Sequence, residues 1–143
     1  MPLTRVYLVL TTDDLDALAG GGAVGPAPRP AHAVTSALGR PGLTTDEEEL
    51  EHAAWLAAAD EAVGATAGGR TRRVIGSADV DAATVVHPTS PDVPSRVEIS
   101  APLERRRFVS FHVDEEPGAT DVADLLWYDV TELDDVRALA SGS

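Results

Sequence analysis

Residues Arg5-Val6-Tyr7-Leu8-Val9-Leu10 decide the fold, because after the arginine no polar residue interrupts the run. A strand that is apolar on both sides is covered on both faces, and so belongs inside a sheet rather than at its edge. Downstream, Thr11 or Thr12 caps a short acidic helix, DDLDALAGG, with Asp14 placed three residues beyond Thr11. Acidic side chains are favoured at such a helix start, and Gly20, Gly21 and Gly22 end the helix.

The stretch GPAPRPA reads as loop with polyproline character, and His32 to Thr35 as a short second strand. A turn around Gly39, Pro41 and Gly42 leads into the strongest helix signal. Thr45 is its N-cap, Asp46 to Glu49 its acidic first turn, and Leu50, Ala53, Ala54, Ala57 and Ala58 its inner stripe. Trp55, Leu56, Ala59 and Val63 widen that stripe; Gly64 weakens the helix end, and Gly68 and Gly69 close it. The period then changes. Arg73 to Val80, Thr84 to His87, Arg96 to Ser100 and Arg106 to Val113 are short, Val/Ile-rich segments between Pro and Asp turns. A helical turn at Asp121 to Asp124, a strand from Leu125 to Val130, and a helix capped by Thr131 and running through Leu139 complete the chain. The order β-α-β-α-β-β-β-(α)-β-α implies an α+β (α/β) two-layer sandwich, a mixed sheet with helices mainly on one face. Residues 1–143 are expected to form one domain, a normal length for a single core.

Composition narrows the function classes. The 143 residues carry 24 acids against 11 bases, a net charge of −13, and every base is arginine. Lysine, asparagine, glutamine and cysteine are absent, which removes disulfides and thiolate chemistry. So acidic a surface repels nucleic acid and anionic lipid and suits a basic partner. No basic-then-apolar leader precedes the first strand and no apolar run nears membrane-spanning length. The expected location is the cytoplasm.

Five residue sets carry possible chemistry. Gly20 to Gly25 satisfies the spacing GxGxxG, but a helix precedes it and Pro26-Ala27-Pro28 follows, so it reads as a helix stop rather than a phosphate loop. Asp13, Asp14 and Asp16 follow a buried strand, where carboxylates can hold a metal, and where helix capping also selects them. Glu48 and His52, at i,i+4, have the spacing of metal ligands on one helix, but in a single copy and within an acidic first turn that also includes Glu49 and Glu51. Ser110, His112 and Asp114 share one strand face about 6.6–6.8 Å apart and contain the residue types of a hydrolytic triad. A polar outer face accounts for the same pattern. Arg105, Arg106 and Arg107, with Arg70, Arg72 and Arg73, are the only basic concentrations, suited to an anionic ligand or to pairing with the surplus acids. Trp127 and Tyr128 read as core, with any exposed part available to a partner.

Several segments, taken in order, carry a resemblance. They are Arg5-Val6-Tyr7-Leu8, the Gly25-Pro26-Ala27-Pro28 loop before Ala33-Val34-Thr35, and Asp46-Glu47-Glu48-Glu49-Leu50-Glu51. Ser77-Ala78-Asp79-Val80, His112-Val113-Asp114 and Leu125-Leu126-Trp127-Tyr128 follow. Together they resemble an uncharacterised family, a domain of unknown function in small intracellular proteins of GC-rich bacteria. The chain departs from it in lacking a proline after the opening strand, in placing His52 where an aromatic is usual, and in a shorter stretch between Asp114 and Leu125. The resemblance implies an intact domain and no particular activity, substrate or cofactor.

The function expected from these readings is a small acidic binding or regulatory module that works through protein–protein contacts, with a partner or as a homodimer, without a cofactor. The competing expectation is a small enzyme for a phosphate-containing or other anionic substrate, built on Asp13, Asp14 and Asp16 or on His112 and Asp114 with an arginine. An enzyme should gather these groups in one pocket with an arginine facing in. A binding module should leave an apolar patch with an acidic rim.

Overall fold

The computed structural model describes residues 2–39, 46–65 and 71–141. Among these residues nine strands form: β1 (Leu3–Val9), β2 (Ala23–Val24), β3 (Arg29–Ala33), β4 (Val74–Asp81), β5 (Val85–Val86), β6 (Arg96–Ile99), β7 (Leu103–Glu104), β8 (Phe108–Asp114) and β9 (Leu125–Asp129). The helices are α1 (Thr12–Ala19), α2 (Ser36–Gly39), α3 (Glu47–Ala65) and α4 (Leu133–Ser141). Seven strands make the main sheet in the order β5-β6-β3-β1-β4-β8-β9, and β2 pairs with β7 in a small second sheet. The α+β class read from the sequence is the class the protein adopts. Each neighbouring pair of the main sheet is antiparallel, so the expected mixture of parallel and antiparallel pairing does not occur among the described residues.

The opening strand sits at the centre, as its pattern requires. Val6 and Leu8 point to one face, where Leu15 and Leu18 of α1 and Leu133 and Val136 of α4 complete a continuous core. Tyr7 and Val9 point to the other, where Ala54, Ala58, Ala59 and Ala62 of α3 pack with Ile75 and Leu125. Where the pattern suggests helices mainly on one face, the structure puts α3 on one and α1 with α4 on the other. The cause is visible in β1 itself: a strand apolar on both sides exposes one side to water unless both are covered.

Thr11 caps α1 through a capping box: its side chain accepts from the Asp14 amide, and the Asp14 carboxylate accepts from the Thr11 amide. The helix before the C-terminus differs from expectation. Asp129, not Thr131, is the cap, closing a capping box with Glu132 around a 3-10 turn that runs into α4. The buried seam of α3 is Ala54, Ala58, Ala59 and Ala62, one step round from the expected stripe, and Leu50, Ala53 and Ala57 are only half-buried. The expected Thr45 cap, the glycines at 68 and 69, and Arg70 lie outside the described residues. Within GxGxxG, Ala23 and Val24 form β2, and the next element is the strand β3 rather than a helix, so no helix N-terminus faces a phosphate there.

The strand β8 carries a bulge. Ser77 pairs with Ser110 but Ala78 pairs with Phe108, leaving Val109 as the extra residue. That turns Phe108 to the same side as Phe111, and the two rings stack with centroids 5.7 Å apart. Phe108 lies over Gly76 with Leu10, and a Cβ there would come within 2.7 Å of Phe108 and 2.8 Å of Leu10.

Candidate functional site

Alternation sends one set of β1, β4 and β8 side chains to the α1/α4 core and the other toward α3. The α3-facing set includes Tyr7, Ser77 and Ser110, which lie in one row across the three strands by register. The next row holds Val9, Ile75, His112 and Trp127. The α3 seam rests chiefly on β3, β1 and β4, so the sheet beyond β4 is roofed only by the larger side chains near the start of the helix. The result is a cleft of about 420 Å³. Arg5, Tyr7, Ser77, Ser110, His112 and Trp127 form its floor and side, and Glu48, Glu51, His52 and Trp55 its roof. A neighbouring recess of about 490 Å³ shares Arg5 and Glu51 and adds Glu47 and Asp79.

Aromatic chemistry is concentrated here. Both tryptophans of the chain and one of its two tyrosines line the cleft. His52 stacks on Trp55 at 5.6 Å, and Trp55 meets the His112 ring edge-on at 4.9 Å. Trp127 is 59% exposed, which corrects its reading as core; Tyr128 does pack against the α1/α4 core.

Several polar atoms here have no internal partner. The Trp55 Nε1 and His112 Nδ1 atoms are buried without a hydrogen bond among the described residues. Burial holds His112 below the ordinary imidazole range. Tyr7 is pushed up to about 12, by burial and then by the Glu51 charge. Arg5 is held by Asp79 through two bonds, Nε to Oδ1 at 2.6 Å and Nη2 to Oδ2 at 3.1 Å. That pairing raises the Arg5 pKa and neutralises the cleft's one guanidinium. Glu48 and Glu51 form no ion pair among the described residues.

The candidates named from sequence separate into those the fold gathers and those it disperses. Ser110, His112, Glu48 and His52 come together in the cleft. Asp114 does not join them as a triad member, because Arg73 takes both its oxygens at 2.7 and 2.8 Å in a fully buried pair. Asp14 serves the α1 cap and Arg29, which donates to its two oxygens at 3.0 and 2.7 Å. Burial opposes the Asp14 charge, but the bonds from Arg29 and Thr11 outweigh it and lower its pKa. Asp16 pairs with Arg137 of α4, and Asp13 is exposed. No group of three or more His, Asp or Glu residues suited to a metal occurs among the described residues, so neither the aspartates nor Glu48 and His52 form such a group.

The arginines are likewise spread. Arg72 donates to the Leu139 carbonyl at the end of α4 at 2.9 Å, and Arg73 is buried with Asp114. Arg105 and Arg106 border a different recess beside Leu18 and Glu104, and Arg107 precedes β8.

Sequence reading missed Arg5, Tyr7, Trp55 and Ser77 as site residues. Ser77 alone carried a local signal, a hydroxyl inside an otherwise apolar strand core. It also missed a buried relay: Ser95 Oγ lies 2.7 Å from His32 Nδ1, and His32 Nε2 lies 3.1 Å from Glu61. Burial outweighs Glu61 and lowers the His32 pKa, so the ring is neutral. A carboxylate only accepts, so Nε2–H donates to Glu61 and Nδ1 accepts from the Ser95 hydroxyl. Ser95 is 1% exposed, and the relay, with Arg96 on Glu61 at 2.7 Å, fastens α3 to β3 and β6.

The fold and site together define an antiparallel α+β sandwich with one aromatic, acid-rimmed cleft under its longest helix. The model of a family of unknown function, DUF6912, matches residues 4–124, and the chain belongs to that family. No curated protein and no solved structure matches it.

Proposed function

We propose that the protein is a binding module whose recognition site is the cleft under α3, and that its ligand is a small organic cation. The carrying observation is that two tryptophans and a tyrosine share the cleft with Glu48 and Glu51, while Arg5, the only arginine lining it among the described residues, is already neutralised by Asp79. Aromatic faces attract cations and carboxylates supply the countercharge. The volume is on the scale of small-ligand pockets. An anionic substrate fits less well, since Arg72, Arg73, Arg105 and Arg107 all lie outside this lining.

One observation supports the second reading, a protein partner. Leu126 and Trp127 are 41% and 59% exposed on β9, an edge strand flanked by Asp121, Asp124, Asp129 and Glu132. No helix among the described residues is long and apolar enough to cross a membrane.

Tryptophan emission tests the first reading directly, since every tryptophan in the chain lines the site. Phenethylamine should shift the emission and phenylacetate should not. Glu48→Gln with Glu51→Gln should weaken phenethylamine binding about tenfold or more. Equal or tighter binding of phenylacetate would falsify the cationic reading.

A further inference from the structure

The geometry points to a primary ammonium as the head group of the cleft's ligand, received by the hydroxyls of Ser77 and Ser110. This rests on the cationic reading above and adds a hydrogen-bonding specificity to it. Ser77 and Ser110 stand directly opposite one another on β4 and β8 and are 3% and 5% exposed. Buried hydroxyls are ordinarily hydrogen-bonded. Neither of these hydroxyls has a hydrogen-bond partner among the described residues, yet neither is among the sealed polar atoms, so both oxygens open to the cleft.

Cβ atoms of directly opposed residues lie roughly 4.5–5.5 Å apart, a span that one nitrogen bridges with two hydrogen bonds of about 2.9 Å each. A hydroxyl accepts as readily as it donates, so the serines alone do not choose the sign of the guest. The roof does: Glu48 and Glu51 repel an anion and attract a cation. An ammonium has three donors and no acceptor. Two donors meet the serines, and the third faces the carboxylates or water. The exposed face of Trp127 supports an apolar body attached to that head.

A quaternary ammonium keeps the charge and the aromatic contact but has no N–H. It leaves both hydroxyls buried without partners, and its methyl groups hold the nitrogen away from the floor. The loss should be roughly tenfold or more in affinity, the scale of a hydrogen bond to a charged group.

The test uses calorimetric titration of the full chain with phenethylamine and with its N,N,N-trimethyl derivative. Phenethylamine should bind at least about tenfold more tightly. In the chain carrying Ser77→Ala and Ser110→Ala, that preference should vanish, with phenethylamine bound more weakly and the trimethyl derivative no longer penalised, while the melting temperature holds. Equal affinities in the unaltered chain, or a preference that survives the double substitution, overturn the head-group inference and leave the cationic reading standing. Binding of neither amine overturns both.

Discussion

The two faces of the main sheet are built from alternate residues of the same strands and differ in kind. On the α1/α4 face, Val6, Leu8, Phe111 and Val113 are buried to the last few per cent, and glycine at position 76 leaves the space that Phe108 and Leu10 fill. On the α3 face the helix contributes alanines, the strands contribute Ser77, Ser110 and His112, and polar atoms are left without partners. Partnerless buried polar groups cost free energy, so a face that keeps several sacrifices stability relative to its opposite. One face is closed around its core, and the other keeps open space and unused hydrogen-bonding capacity.

The sharpest way to break that comparison is to truncate one side chain on each face to alanine. Phe111→Ala should destabilise the protein by about 3–5 kcal/mol in denaturant titration, since it empties a fully buried ring site. Ser110→Ala, its neighbour on the opposite face, should change stability by less than about 1 kcal/mol. A similar cost at both positions would show that the α3 face is as structural as its counterpart.

Next in size is Gly76→Ala. The added methyl meets Phe108 and Leu10 inside contact distance, and overpacking of this kind costs about 1–3 kcal/mol. Ligand binding at the cleft should survive it, because the methyl points to the other side.

The smallest effect is electrostatic. Burial lowers the pKa of His32 and of His112 below the ordinary 6.5. The unfolded chain therefore takes up protons that the folded chain refuses, and stability falls as pH drops below about 6.5. The Asp14 carboxylate, whose pKa is also lowered, contributes only in a more acidic window, below its ordinary 3.8. Melting curves from about pH 7.5 to about pH 5 should decline steadily, and His112→Gln should flatten part of the slope. An unchanged slope would mean that His112 is not held neutral by its surroundings.

What could be read from sequence was what is local. The opening strand needed only its own side chains to place itself centrally, and the Thr11–Asp14 cap spans one helical turn. The family resemblance was legible from short ordered segments and holds over residues 4–124. The cleft was not legible as a unit, because its floor comes from β1, β4, β8 and β9, whose adjacency depends on strand order. Ser110 and His112 were noticed, but as half of a triad, since nothing near Asp114 in sequence announces that Arg73 will occupy it. Trp127 was read as core because its strand is apolar, and only the edge position of β9 leaves the ring in water.

The alanine seam of α3 has a consequence beyond packing. Small side chains at positions 54, 58, 59 and 62 let that end of the helix settle close on the sheet, while Trp55 and His52 stand it off nearer its start. Enlarging Ala58 or Ala62 by a methyl or two should lift that end of the helix, so the depth of the cleft can change without altering any residue that lines it.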